Sequence, residues 1–220
     1  MNMDFVTFDN FNSDDGSYSG ISRLPDFRYE EIKGIVADII ERCQISSIPL
    51  DVFSLAGKLG ISLVKFSCLT AHEMKQLGQW GVTEETDGFY ALAKKNKEVV
   101  PYIYYNDRKE PCRVRFTLLH EIGHHVLGHK QQSDLAEAEA NFFAKYLITP
   151  PMLVDMIKPY DYMDIAFIFN VSPTCAWNSF DYYEKWKRHH IRCGRQYVEY
   201  ERRILKLCSV EIPKNYWRAV

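Results

Sequence analysis

Apolar residues at helical spacing mark the first predicted element, residues 29–42. They recur three or four positions apart, at Ile32, Ile35, Val36, Ile39 and Ile40. This spacing is typical of an amphipathic helix that packs one face against a core. A shorter helix is predicted after Pro49 and ends at Gly60, because glycine is a frequent C-terminal cap. The β-branched segment 61–66 then predicts a strand.

The middle of the chain alternates between polar and strand-like segments. Residues 67–86 are polar and contain two glycines, which predicts a loop of low regularity. Residues 88–93 and 99–105 have the aromatic and β-branched composition of strands and are separated by a polar turn. Because Pro101 has no N–H to donate, the second strand is predicted to lie at a sheet edge or to be bulged near its start.

The two ends of the chain have different patterns. Residues 1–25 combine Asp, Asn, Ser and Gly with isolated aromatic residues. This composition predicts an irregular arm, and docking of its aromatic side chains on the body is the alternative. Residues 164–180 carry apolar positions on both sides of Asn170-Val171-Ser172, the pattern of a helix-turn-helix. The basic cluster comes later, in residues 185–195, so packing or substrate docking is favoured over direct DNA binding.

Composition and charge exclude several classes of protein. A net charge of −2 over 220 residues gives no overall basic surface for nucleic acid or an anionic membrane. The chain has no apolar run of about 18 residues, so no membrane span is predicted, and its N-terminus lacks signal-peptide features. Six scattered cysteines without a C-x-x-C pair indicate a reduced, cytoplasmic protein. A second zinc site, from Cys193 and Cys208 with His189 or His190, is a disfavoured alternative.

Candidate chemistry is concentrated in residues 113–129, RVRFTLLHEIGHHVLGH. His120, Glu121 and His124 form the H-E-x-x-H motif of zinc hydrolases. On a helix, residues four apart project from one face, so both imidazoles can bind the same ion. Glu121 lies about 100° further round the helix. From that position a carboxylate can act as general base towards water.

A catalytic zinc site normally has three protein ligands, so a third is required. The candidates are His125, His129, Glu137 and Glu139. On a continuous helix His125 and His129 point about 140° and 180° away from His120, which excludes both. Glu137 instead begins a face of small residues on the next predicted helix, and Glu139 points about 160° away from it. Glu137 is therefore favoured, although Asp134-x-x-Glu137 also fits a capping box, which would give it a purely structural role.

Two paired motifs resemble the ImmA/IrrE family of intracellular metallopeptidases. The first is Arg115-Phe116-Thr117 followed by the H-E-x-x-H motif. The second is EAEANFFAKYLITP, which contains Glu137, Ala140, Asn141, Phe143 and Ala144 and ends at Pro150. The segment IPLDVFSLAGKLGISLV and the later YIYYND also resemble the lead-in of the family. The resemblance covers residues 29–151.

The resemblance implies an α+β fold and a single-zinc endopeptidase. A zincin-like domain, with a small mixed sheet and the H-E-x-x-H helix, is expected over residues 26–152, after the N-terminal arm. A small helical, helix-turn-helix-like region is expected over residues 153–220. His120, His124 and Glu137 would be the zinc ligands and Glu121 the general base. The implied substrate is a helix-turn-helix repressor of mobile-element or stress-response genes, whose cleavage relieves repression.

Several alternatives stay open from the sequence. A zinc-binding module that holds a repressor or antitoxin-like partner without cutting it is the second functional hypothesis. The intact Glu121 favours the enzyme, because a pure binding module does not need it. The residue that stabilises the oxyanion is not identified, and His125 and a tyrosine near Tyr105 are the candidates. The strand with Pro101 is either a substrate-binding edge or part of a plain hairpin.

Overall fold

The protein is described by a computed structural model that covers residues 4–8, 23–95, 98–131, 133–192, 194 and 196–210. Its strands are β1 (Asp4–Phe8), β2 (Ser47–Ile48), β3 (Ser62–Lys65), β4 (Gly88–Lys95), β5 (Glu98–Tyr105) and β6 (Ser209–Val210). Its helices are α1 (Asp26–Arg42), α2 (Val52–Lys58), α3 (Ala71–Gly78), α4 (Pro111–Leu127), α5 (Asp134–Ile148), α6 (Pro151–Ile157), α7 (Tyr162–Phe169), α8 (Pro173–Arg192) and α9 (Glu199–Leu207).

The described chain forms two compact units. The first contains the described residues up to Tyr29 together with Val52–Ala144. The second contains Glu30–Asp51 and the described residues from Lys145 onward. The division falls inside α1 and α5, whereas the predicted domain limit follows residue 152, so those predicted limits stay a prediction. Among the described residues, no helix is long and apolar enough to cross a membrane.

A mixed four-stranded sheet forms the centre of the first unit, in the order β1-β4-β5-β3. β4 pairs antiparallel with β1 and β5, and β3 pairs parallel with β5. Helix α4 packs against β4 and β5, and its residues Leu118, Leu119 and Ile122 are fully buried. This arrangement is the α+β, zincin-like fold that the sequence predicted.

The prediction that the strand containing Pro101 lies at a sheet edge or is bulged near its start is wrong. β5 pairs with β4 without a register shift. β5 has a neighbour on each side, because β4 and β3 both pair with it. The pairing with β3 begins only at Tyr102, opposite Ser62. Pro101 is therefore just beyond the last β3 partner, where its missing N–H leaves no gap in that ladder.

Two segments predicted to be irregular contain regular structure. Within the N-terminal arm, Asp4–Phe8 form β1 and pair with β4, with a register shift between Phe5 and Thr7. Residues 9–22 lie outside the described residues. Within the predicted loop 67–86, α3 begins with a capping box in which Thr70 accepts from the Glu73 backbone and Glu73 accepts from the Thr70 backbone. The spacing Thr-x-x-Glu is a helix-start signal, so the loop predicted over this segment is wrong at α3.

The second unit is mainly helical. α7 ends at Phe169 and is capped by Asn170, which has a left-handed backbone with φ of 52°. α8 begins three residues after this cap. This is the helix-turn-helix predicted from the apolar pattern, with Ile165, Ile168 and Ala176 buried. The short strands β2 and β6 pair in parallel. The hydroxyl groups of Thr149 and Ser179 lie 2.7 Å apart and join α8 to the chain after α5.

Candidate metal centre

Helices α4 and α5 approach each other at a glycine and an alanine. A Cβ atom placed on Gly123 would lie 3.2 Å from the Cα and carbonyl oxygen of Ala140 and 3.1 Å from Phe143 Cδ1. Such contacts are tighter than nine in ten real Cβ contacts, so a side chain at Gly123 would require Ala140 or Phe143 to shift. The face of small residues predicted on α5 therefore packs directly on the motif helix.

Three side chains from these two helices converge on one point. The Nε2 atoms of His120 and His124 lie 2.9 Å apart. Glu137 Oε2 lies 3.3 Å from His120 Nε2, and Glu137 Oε1 lies 3.5 Å from His124 Nε2. Ligand atoms of all three residues lie within 4.8 Å of one another, so the group could hold a metal ion. Two imidazoles and one carboxylate are a donor set that suits zinc.

Two observations on Glu137 fit a bound cation. Its buried Oε1 accepts no hydrogen bond among the described residues, and a buried carboxylate oxygen is costly unless a charge or donor compensates it. The predicted alternative, a capping box with Asp134, does not describe the start of α5. There the Ser133 hydroxyl accepts from the backbone N–H of Ala136, so Ser133 is the N-cap. The carboxylate of Glu137 is directed at the histidines.

The two histidines of the motif differ in their electrostatic surroundings. Burial, together with the neighbouring His120 and His129, lowers the pKa of His124 to about 2. His124 is therefore neutral at physiological pH, the state that a metal ligand requires. Burial also lowers the pKa of His120, but its hydrogen bond with Glu137 and the charge of Glu121 outweigh this, and the net pKa is raised. The carboxylates of Glu137 and Glu121 that favour a proton on His120 would equally favour a metal cation bound to it.

Glu121 occupies the position expected for a general base. It follows His120 on α4, has no exposed surface, and its charge raises the pKa of the His120 imidazole. The carboxylate is therefore near the converging ligand atoms, although it is not one of the three groups. Its role as base stays a prediction.

His129 and Glu139, which are not among the three converging donors, are connected to the site in another way. Helix α4 stops at Leu127, and Gly128 turns the chain with φ of 70°. This turn brings His129 Nδ1 to 2.8 Å from His124 Nδ1. The opposite nitrogen of His129, Nε2, lies 3.0 Å from Glu139 Oε2. The 180° separation predicted for His129 assumed a continuous helix, and Gly128, a typical C-terminal glycine, was the signal that the helix ends.

Glu139 is held at its other side by a residue distant in sequence. Arg28 donates to Glu139 through Nε at 2.7 Å and through Nη2 at 2.6 Å. Burial raises the pKa of Glu139, but the hydrogen bonds from Arg28 and His129 outweigh it and leave the pKa below its ordinary value. Glu139 is therefore a carboxylate at neutral pH. Nothing in the local sequence indicated Arg28 as its partner.

The remaining candidates are not part of the three-residue group. His125 Nδ1 lies 2.9 Å from the Tyr90 hydroxyl, and its proposed role towards an oxyanion stays a prediction, as does that of a tyrosine near Tyr105. Cys193 lies outside the described residues, so the second zinc site is untested. Within the part of the chain that is described, His120, His124 and Glu137 are the group of metal-binding side chains that converge.

An α+β zincin-like fold in which two histidines and a glutamate could hold a metal ion is typical of a zinc peptidase-like domain. Residues 75–175 match the family model of the IrrE N-terminal-like domain. The match confirms the resemblance of this segment to the ImmA/IrrE family that the paired motifs predicted. The matched segment runs from α3 to the beginning of α8 and includes the whole candidate site. Comparison with curated proteins gives no match.

Proposed function

We propose that the protein is a cytoplasmic, zinc-dependent endopeptidase. His120, His124 and Glu137 would bind Zn²⁺, and Glu121 would act as general base. The observation that carries the proposal is the convergence of these three donor groups within 4.8 Å beside a fully buried carboxylate. The family match supports the peptidase class.

The residues of the site would have different roles in the reaction. A bound zinc ion would lower the pKa of water and polarise the scissile carbonyl. Glu121 would take the proton of the attacking water and later pass it to the leaving amine, as a general base and then a general acid. His124, neutral because of its low pKa, keeps a lone pair available. The close contact between Gly123 and Ala140 would fix the ligand from α5 against the two ligands from α4.

We further propose that the substrate is a helix-turn-helix repressor whose cleavage relieves repression. The support is the ImmA/IrrE resemblance of the paired motifs, together with the family match. The helix-turn-helix formed by α7 and α8 would serve in packing or in docking this partner. Direct DNA binding and membrane binding are not part of the proposal.

The test uses purified full-length protein loaded with zinc and a helix-turn-helix repressor encoded by the neighbouring gene. Mass spectrometry would follow the intact repressor and any new termini. Cleavage is expected with the wild type, and none with Glu121→Gln, which keeps the three ligands. Equal loss of repressor with both proteins would refute the peptidase proposal. A stable complex without cleavage, at full zinc occupancy, would favour the alternative of a zinc-binding regulatory module.

A further inference from the structure

We propose that His129 and Glu139 are positioning residues that hold His124 in the tautomer and orientation of a metal ligand. The structural basis is one continuous chain of contacts from His124 through His129 and Glu139 to Arg28. The inference rests on the proposed metal site. It assigns roles to two residues outside the H-E-x-x-H motif and outside the three-ligand group.

The first step concerns the two nitrogens of His124. Its Nε2 faces His120 Nε2 at 2.9 Å and Glu137 Oε1 at 3.5 Å, so Nε2 is the atom that would bind the ion. A neutral imidazole carries its proton on the other nitrogen. That nitrogen, Nδ1, lies 2.8 Å from His129 Nδ1, and it therefore donates to His129.

The second step concerns the two nitrogens of His129. Because His129 Nδ1 accepts from His124, its proton must be on Nε2 in the neutral ring. His129 Nε2 lies 3.0 Å from Glu139 Oε2, and a carboxylate is an acceptor. Each contact thus has one donor and one acceptor. The opposite tautomer of His124 would place its proton on Nε2, the atom that would bind the ion.

The third step concerns the fixed end of the chain. The Glu139 side chain is only 8% exposed, and a buried carboxylate needs compensation. Arg28 supplies it with two hydrogen bonds of 2.7 and 2.6 Å. Two donors from one planar guanidinium fix the orientation of the carboxylate as well as its charge. Glu139 is therefore a rigid acceptor to which the two imidazoles are aligned.

The series of hydrogen bonds behind His124 is one residue longer than is usual behind a metal-binding histidine. In such sites the second nitrogen commonly donates directly to a carboxylate or a carbonyl, and loss of that partner typically lowers metal affinity about 10–100-fold. Here an additional imidazole is inserted between the ligand and the carboxylate. We expect loss of His129 to lower zinc affinity within the same range without abolishing binding, because the three donor groups are unchanged.

The experiment measures zinc affinity of the full-length protein by competition with a chromophoric chelator. His129→Ala is expected to bind zinc about 10–100-fold more weakly than the wild type. His129→Gln should recover much of the loss, because its amide oxygen can accept from His124 and its NH₂ group can donate to Glu139. Glu139→Gln should weaken binding less than His129→Ala, since it keeps an acceptor. His72→Ala, at an exposed histidine of α3, is the matched control and should match the wild type.

The visible spectrum of Co²⁺ bound in place of zinc gives a second readout, because it reports ligand geometry independently of activity. His129→Ala should alter the d–d bands, whereas His129→Gln should resemble the wild type. Wild-type affinity and spectrum in His129→Ala would overturn the inference, as would equal weakening by Ala and Gln. Failure of wild-type protein to bind zinc would instead overturn the proposed function. If His129→Ala does not fold, Glu139→Gln alone decides: wild-type affinity and spectrum there overturn the inference.

Discussion

No side chain separates α4 from α5 at Gly123 and Ala140, where a methyl group on Gly123 would lie 3.2 Å from the Ala140 Cα. The two ligands of α4 and the ligand of α5 are held together at this contact. Because Gly123 has no side chain, the two helices can lie this close together. Their separation determines the distance between Glu137 and the two histidines.

Gly123→Ala is expected to weaken zinc binding and to destabilise the protein. The new methyl group meets backbone and a buried ring, so α5 must shift, and overpacking of this kind costs about 1–3 kcal/mol. Gly57→Ala is the matched control, because nothing lies within 4 Å of its Cβ position and alanine favours a helix by about 1 kcal/mol. Chemical denaturation and metal titration would measure both effects. A Gly123→Ala protein as stable as Gly57→Ala would contradict the expected steric conflict.

Glu137→Ala and Glu139→Ala are expected to affect zinc differently. Removal of Glu137 deletes one of the three converging donors, so stoichiometric zinc should be lost on desalting. Removal of Glu139 leaves the donors in place but releases His129, so zinc should remain bound with reduced affinity. Metal analysis by mass spectrometry distinguishes the two results. Loss of zinc in Glu139→Ala with retention in Glu137→Ala would overturn the ligand assignment.

Tyr183→Phe is expected to reduce stability at neutral pH but not in acid. The Tyr183 hydroxyl donates to Asp155 at 2.8 Å. Burial raises the pKa of Asp155, but hydrogen bonds from Lys158 and Tyr183 outweigh this and lower it. A lowered carboxyl pKa stabilises the fold above the unfolded value and loses that contribution as pH falls through the folded value. The variant should lose about 1–2 kcal/mol at pH 7, and the difference should shrink below about pH 4.

Tyr162→Phe is the matched control for this measurement. The Tyr162 hydroxyl makes no hydrogen bond among the described residues, and its ring packs edge-on against Trp177. Urea denaturation between pH 3 and pH 8 should therefore give a flat difference between the control and the wild type. A pH-independent loss in Tyr183→Phe would show that packing, not the bond to Asp155, is responsible.

Cys208 is expected to resist alkylation in the native protein. Burial raises the pKa of its thiol to about 11, and the thiol donates to the Ile45 carbonyl at 3.2 Å. Since the thiolate is the nucleophile, little reactive form is present at pH 8. Iodoacetamide labelling followed by peptide mapping should modify the exposed Cys68 first and Cys208 only after unfolding. Equal rates at the two cysteines would contradict this.

The sequence predicted those parts of the site that depend on regular geometry. The choice of Glu137 over Glu139 used only the helical repeat within one element, and the structure places Glu137 with His120 and His124. The direction predicted for His129 was wrong because the helical repeat stops at Gly128, but His129 is not one of the three converging donors, as predicted. α3 was missed because it is short and buries only Leu77, although the Thr70 and Glu73 spacing marked its start.

Other features depend on the pairing of distant segments and cannot follow from local patterns. The position of β5 between β4 and β3 is set by the arrangement of the sheet, and Pro101 alone does not reveal it. Arg28 and Glu139 are 111 residues apart, and neither segment indicates the other. Only the folded first unit brings the guanidinium to the carboxylate.

The bond between Arg28 and Glu139 also limits how far the protein can be shortened. Residues 75–175, the segment matched by the family, contain all three donor groups and Glu121 but lack Arg28. A polypeptide trimmed to that segment would leave the buried carboxylate of Glu139 without its counter-ion, a change that is costly in protein interiors. The segment matched by the family model is therefore too short to keep this ion pair, and helix α1 must be retained when the protein is shortened.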